Sequence, residues 1–188
     1  MTKEYDKDKI LLYTLKGCGY MKNLVITDKD ISMKLFKNSI VVNLNNIHYS
    51  SCTGGLECLK CEGTCYFKDD MNLISLWMND CQLIIYVSKI KYGCFDIPFK
   101  KMLERLIVNQ EPYYSMVDGE TCHLGISQLT KKLLVIGYGD ACEEEKKIFK
   151  DLLDESTLGF TYSSIDVYFC KEEELEEVLQ TFGGVDHV

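Results

Sequence analysis

Five short apolar runs rich in Val, Ile, Leu and Tyr alternate with segments of helical periodicity, and this alternation constrains the fold more than any other feature. The runs are Lys9–Leu15, Ser39–Leu44, Leu83–Ser88, Lys132–Gly137 and Ser164–Cys170. Near-continuous apolar content is what a parallel strand covered on both faces requires. Helical spacing predicts helices over Asp28–Lys37, Met71–Asp80, Pro98–Asn109, Cys142–Glu155 and Lys171–Thr181. Asp70 stands where it can cap the second helix, and Pro98 opens the third in its first turn. Asp140 and Glu143 have capping-box spacing, and Gly183-Gly184 stops the last helix. Strand–helix alternation of this kind builds a doubly wound α/β sheet with right-handed crossovers. Ligands of such sheets bind outside the carboxyl ends of the strands, where the strand order reverses. Three loops are expected there: Lys16–Lys22, Ser88–Phe95 and Gly137–Ala141.

The 188 residues contain only two prolines and no Pro/Gly/Ser-rich linker, so residues 1–188 are read as one domain. A formal net charge of -8, with no basic stripe, argues against a nucleic-acid partner, because that affinity rests on phosphate neutralisation by Lys and Arg. The opening MTKEYDKDK is charged, and the apolar run behind it is too short for a secretory leader. No run has the length of a membrane span. With this much ordinary core, ten cysteines fit a reducing, cytoplasmic compartment rather than a disulfide scaffold.

Chemistry-bearing residues concentrate between Cys52 and Arg105. Four cysteines lie within fourteen residues, CTGGLECLKCEGTC, and Asp69-Asp70-Met71 follows as a helix start. After the run Leu83–Val87 come Ser88, Lys89, Ile90, Lys91, Tyr92 and Gly93, then the helix IPFKKMLERL with Lys100 and Arg105. In this order the pieces resemble the NADPH-dependent FMN reductases and their iron-sulfur flavoprotein relatives. The resemblance implies a flavodoxin-like three-layer sandwich with a five-stranded parallel sheet in the order 2-1-3-4-5. It also implies that Ser88–Gly93 holds a flavin ring through backbone groups and an aromatic contact from Tyr92, with Lys89 where the family commonly has proline. Gly93 would permit close backbone approach. As a plain loop, the same residues are solvated charges and a turn. Arg105, near its helix end, is favoured there by the helix dipole. Pro112, Tyr113 and Tyr114 match a segment the family uses at a homodimer interface.

The first loop departs from the family. Its members follow strand one with Gly-Ser-Pro-Arg and Asn-Thr elements that wrap the FMN phosphate. This chain has Thr14, Lys16, Gly17, Gly19 and Lys22 instead, and the stretch from Lys16 to Asn38 is short for a loop plus a crossover helix. Two glycines could form an anion nest, with Lys16 or Lys22 adding charge. Two readings stand: the phosphate site is remodelled, or it is lost. Gly137, Tyr138 and Gly139 form a lone glycine pair after a strand, in the right place for the crevice.

Cys52, Cys58, Cys61 and Cys65 are spaced x5, x2 and x3. Such thiolates can enclose zinc or an iron-sulfur cluster. The matching family motif begins Cys-x-Gly-Cys, however, and Gly55 stands where its second cysteine would be. Free thiols without metal are the favoured reading, and a Cys58–Cys61 redox pair is a further one. His48, His123 and His187 do not cluster, and no HExxH or phosphate-loop motif occurs. The expected function is therefore an FMN-dependent NAD(P)H oxidoreductase or electron-transfer flavoprotein, with FMN as cofactor and a nicotinamide nucleotide as co-substrate. The alternatives are a flavodoxin-like fold that has lost FMN and acts as an interaction module, or a cysteine-cluster metal or iron-sulfur protein.

Overall fold

The computed structural model describes residues 23–36, 39–55, 57–60 and 65–183. Its strands are β1 (Asn23–Thr27), β2 (Ser39–Asn43), β3 (Leu83–Lys91), β4 (Cys94–Phe95), β5 (Gln110–Val117), β6 (Glu120–Gly125), β7 (Lys131–Tyr138) and β8 (Tyr162–Cys170). Its helices are α1 (Met71–Asp80), α2 (Ile97–Arg105), α3 (Glu143–Thr157) and α4 (Leu175–Gly183). The parallel strands run in the order β2-β1-β3-β7-β8, the flavodoxin-like arrangement. β3 is central because it is apolar towards both faces: Ile84 and Tyr86 look to one core, Ile85 and Val87 to the other. The first core packs the sheet against α1, α2 and α3. It contains an aromatic knot in which Phe95 stacks on Phe99 at 5.2 Å and meets Phe149 edge-on at 4.8 Å. The second packs the sheet against Leu175 and Leu179 of α4. No helix among the described residues is long and apolar enough to cross a membrane.

Several sequence expectations are corrected. The strand expected at Lys9–Leu15 lies outside the described residues, and Asn23–Thr27 takes the place between β2 and β3. Its Leu24, Val25 and Ile26 are fully buried, which a run this short does not advertise. The helix expected over Asp28–Lys37 is only a 3-10 turn, Met33–Leu35. Side chains compete with helix formation there: Lys29 N donates to Thr27 Oγ1 at 3.0 Å, and Asn43 Nδ2 donates to Asp30 Oδ1 at 2.6 Å. At the start of α1, Asp69 rather than Asp70 accepts from Met71 N, at 3.2 Å, while Asp70 accepts from His48 N at 2.8 Å. The box at α3 is Cys142 with Glu145, whose Oε2 accepts from Cys142 N at 3.0 Å. β5 and β6 form an unexpected antiparallel hairpin that places Tyr113 and Tyr114 on an exposed strand.

Candidate functional site

The carboxyl ends of β1, β3 and β7 meet where the strand order reverses, and the residue that organises them is Asp28. It follows β1 directly, and its backbone N–H donates to Val87 O at 3.2 Å, which ties it to β3. Its carboxylate accepts from Ser88 Oγ at 2.8 Å, from Lys89 N at 3.0 Å and from Tyr138 Oη at 2.9 Å. The residue is 9 % exposed. Burial pushes its carboxyl above the ordinary range, against the pull of the Ser88, Lys89 and Tyr138 hydrogen bonds, and the nearby Asp96 charge pushes the same way. Burial, reinforced by the Asp28 charge and hydrogen bond, drives the Tyr138 phenol well up, so it remains a donor.

A bridge of charges spans this crevice. Glu172, just after β8, accepts from Lys29 Nζ at 2.7 Å and from Lys89 Nζ at 2.8 Å. These two hydrogen bonds hold the Glu172 carboxyl down at about 2. Both ammonium groups lie over the Tyr138 ring, at 5.2 and 6.0 Å from its centroid.

Ser88–Gly93 is not the open loop expected. Ser88 to Lys91 continue β3, and Tyr92 and Gly93, with φ of 53° and 68°, make a two-residue turn into β4. Ser88 and Lys89 reach Asp28, but Ile90 is buried, Lys91 pairs with Asp96 at 2.9 Å, and Tyr92 projects 88 % exposed. Gly93 backs onto α3, where an added Cβ would lie 2.8 Å from Ile148 Cγ2. Gly137 lies inside β7, Tyr138 ends that strand, and the Gly139 N–H donates to Cys170 O at 3.1 Å. Thr14, Lys16, Gly17, Gly19 and Lys22 lie outside the described residues. Of the expected site residues, then, the fold brings Ser88, Lys89 and Tyr138 together around Asp28.

A flavin mononucleotide needs N–H donors or cations for its phosphate at these strand ends. Among the described residues, Ser88 Oγ, Lys89 N and Tyr138 Oη already donate to the Asp28 carboxylate, and Lys29 and Lys89 are engaged with Glu172. A phosphate would lie against a buried carboxylate, a like-charge contact with a desolvation penalty. Among the described residues, the β1–β2 connection supplies a three-residue 3-10 turn and no helix N-terminus. These residues do not fit an FMN phosphate.

The cysteine segment forms a separate place. Cys52, Cys58 and Cys65 line a cavity of about 270 Å³ together with Arg105, while Cys61 lies outside the described residues. No group of three or more His, Cys, Asp or Glu among the described residues is arranged to hold a metal ion. Arg105 stands in the last turn of α2, as expected, and turns into the interior. It is 2 % exposed, forks onto Asp69 at 2.8 and 2.9 Å, and donates to Ser50 O at 2.8 Å. Its guanidinium lies 5.1 Å from the Phe67 ring centroid. This ion pair ties α2 to the segment just before α1.

No protein-family model matches the sequence, and no curated protein matches it. Solved structures do match. An FMN-dependent NADH-azoreductase from Bacillus anthracis is 12% identical, with 86% of this chain and 95% of that one covered at a TM-score of 0.58. An NAD(P)H:quinone oxidoreductase from Methanothermobacter marburgensis is 10% identical, with 88% and 94% covered at a TM-score of 0.59. Smu.1420 from Streptococcus mutans is 11% identical, with 87% and 97% covered at a TM-score of 0.57. At such identities the likeness is one of architecture, and this chain has the flavodoxin-like fold those proteins share.

Proposed function

We propose that this chain keeps the flavodoxin-like frame, as a single domain over residues 1–188, but works as a binding module that does not carry FMN at its switch point. The observation that carries this reading is the Asp28 carboxylate, which takes up Ser88 Oγ, Lys89 N and Tyr138 Oη at the carboxyl ends of β3 and β7 from within the chain. Free thiols at Cys81, Cys94, Cys122, Cys142 and Cys170 support a reducing, cytoplasmic setting. The test is a visible spectrum of the purified protein, followed by an FMN titration read as a melting-temperature shift. The expected outcome is a colourless protein whose melting temperature FMN leaves unchanged. A yellow protein with stoichiometric flavin would overturn the reading.

A second reading, an FMN-dependent NAD(P)H oxidoreductase, is favoured by the architecture shared with the azoreductase and the quinone oxidoreductase. Saturable FMN binding, with NADH or NADPH oxidation that depends on it, would establish that reading instead.

A further inference from the structure

Away from the Asp28 network, a cavity of about 300 Å³ opens between α2, the last turn of α3 and the amino ends of β7 and β8. Its lining is chiefly apolar and aromatic, including Phe95, Leu103, Leu133 and Phe160. Two tyrosines, Tyr86 and Tyr162, also line it. Tyr86 is 3 % exposed, and its hydroxyl and that of Tyr162 make no hydrogen bond among the described residues, but neither is a buried atom left unsatisfied, so both hydroxyls keep accessible surface. Burial pushes the Tyr86 phenol well above its ordinary value and that of Tyr162 up to about 12, so both are donors at neutral pH.

The other polar lining groups are largely committed. Ser156 Oγ and Thr157 Oγ1 donate back to Leu153 O at 3.0 and 2.8 Å. The Asn109 side chain accepts from Ser75 Oγ and Asn79 Nδ2 and donates to Ser75 O at 3.3 Å. Glu104 also borders the cavity, and the chain carries a net charge of -8, so an anionic occupant is disfavoured. The volume is at the small end of the range for ligand pockets. Apolar walls with rings and two hydroxyl donors define the complement. We propose that this cavity binds a small neutral aromatic molecule whose carbonyl oxygen accepts from the Tyr86 and Tyr162 hydroxyls. The cavity is built at the amino ends of its strands, so the inference does not depend on whether FMN binds at their carboxyl ends.

Calorimetric titration of the full chain with acetophenone tests this. Isopropylbenzene has a similar shape without the carbonyl, and benzoate adds a charge. Acetophenone should saturate at one per chain, with isopropylbenzene weaker by about tenfold and benzoate weaker still. A Tyr86→Phe, Tyr162→Phe double variant, which keeps both rings, should lose about tenfold in acetophenone affinity and leave isopropylbenzene unchanged. Filling the cavity with Leu153→Trp should abolish both, and the melting temperature of each variant reports whether it has folded. Absence of saturable acetophenone binding by the parent would overturn the proposal. So would equal affinity for isopropylbenzene, or unchanged acetophenone affinity in a folded double-phenylalanine variant.

Discussion

Replacing Asp69 with alanine should be among the most damaging single changes outside the apolar core. The Arg105 side chain is 1 % exposed and that of Asp69 7 %, and the pair is joined by two short charge-assisted hydrogen bonds. Asp69→Ala leaves the guanidinium buried without its counter-charge, and the N–H groups of Ser50 and Met71 lose the acceptor they use at 3.0 and 3.2 Å. Breaking one side of a buried pair costs about 3–5 kcal/mol. For a domain of this size that is a fall in melting temperature of roughly 6–20 °C. Thermal melts followed by circular dichroism, with urea titration for the free energy, measure it. Asp69→Leu combined with Arg105→Met should recover most of the loss, because an apolar pair of similar volume avoids the stranded charge. The loss should also depend on pH. Burial opposes ionisation of Asp69, but the Arg105 hydrogen bonds and charge, with the Ser50 and Met71 N–H groups, outweigh it and hold the carboxyl below its ordinary value. A depressed folded value contributes stability that is complete above the unfolded carboxylate pKa and lost as pH falls through the folded one. The gap between parent and Asp69→Ala should therefore narrow below about pH 4. A variant that melts within about 2 °C of the parent at neutral pH would refute the reasoning, since that corresponds to about 1 kcal/mol or less.

Asp28 should show the opposite sign. Its carboxyl is raised, chiefly by burial, so its contribution is largest below the ordinary carboxylate pKa and declines as pH rises through the folded value. The melting temperature of Asp28→Asn relative to the parent should climb as pH rises from about 4 towards 7, and a pH-independent difference would rule this out. Gly93→Val should destabilise the fold by about 1–3 kcal/mol, because the position has φ of 68° and a Cβ would approach Ile148 Cγ2 to 2.8 Å. Adding Ile148→Ala should relieve the steric part and leave the backbone strain, and urea denaturation of the single and double variants separates the two.

The sheet was largely legible because β2, β3, β7 and β8 each carry an apolar run that few alternatives could accommodate. β1 was not, because NLVIT is shorter than the equally apolar segment at Lys9–Leu15 and only burial against both neighbours distinguishes it. The β5–β6 hairpin did leave a signal, Asp118-Gly119 between strand-like residues, with φ of 51° and 89°. Tyr92-Gly93 is a second turn of that kind. At the candidate site, Ser88 and Tyr138 were found by their place at strand ends. Asp28, which connects them, reads in sequence as the first residue of the helix predicted over Asp28–Lys37. Its partners are 60 and 110 residues away, and no local pattern encodes that distance. The same holds for Asp69, whose role depends on Arg105, 36 residues later.

The Asp28 network also changes what occupancy means at these strand ends. A fold that binds an anion there gains stability in proportion to the logarithm of the free ligand concentration. Here the anion is tethered, so it is present at the effective concentration of an intramolecular group, of millimolar order for short flexible links. A solute anion has to displace it rather than fill a vacancy, and its apparent affinity is lowered by that competition. Because the Asp28 carboxyl is raised, its charge, and with it the competition a solute anion meets, changes with pH. The exchange therefore runs on pH, while the fold itself remains complete at any ligand concentration, including none.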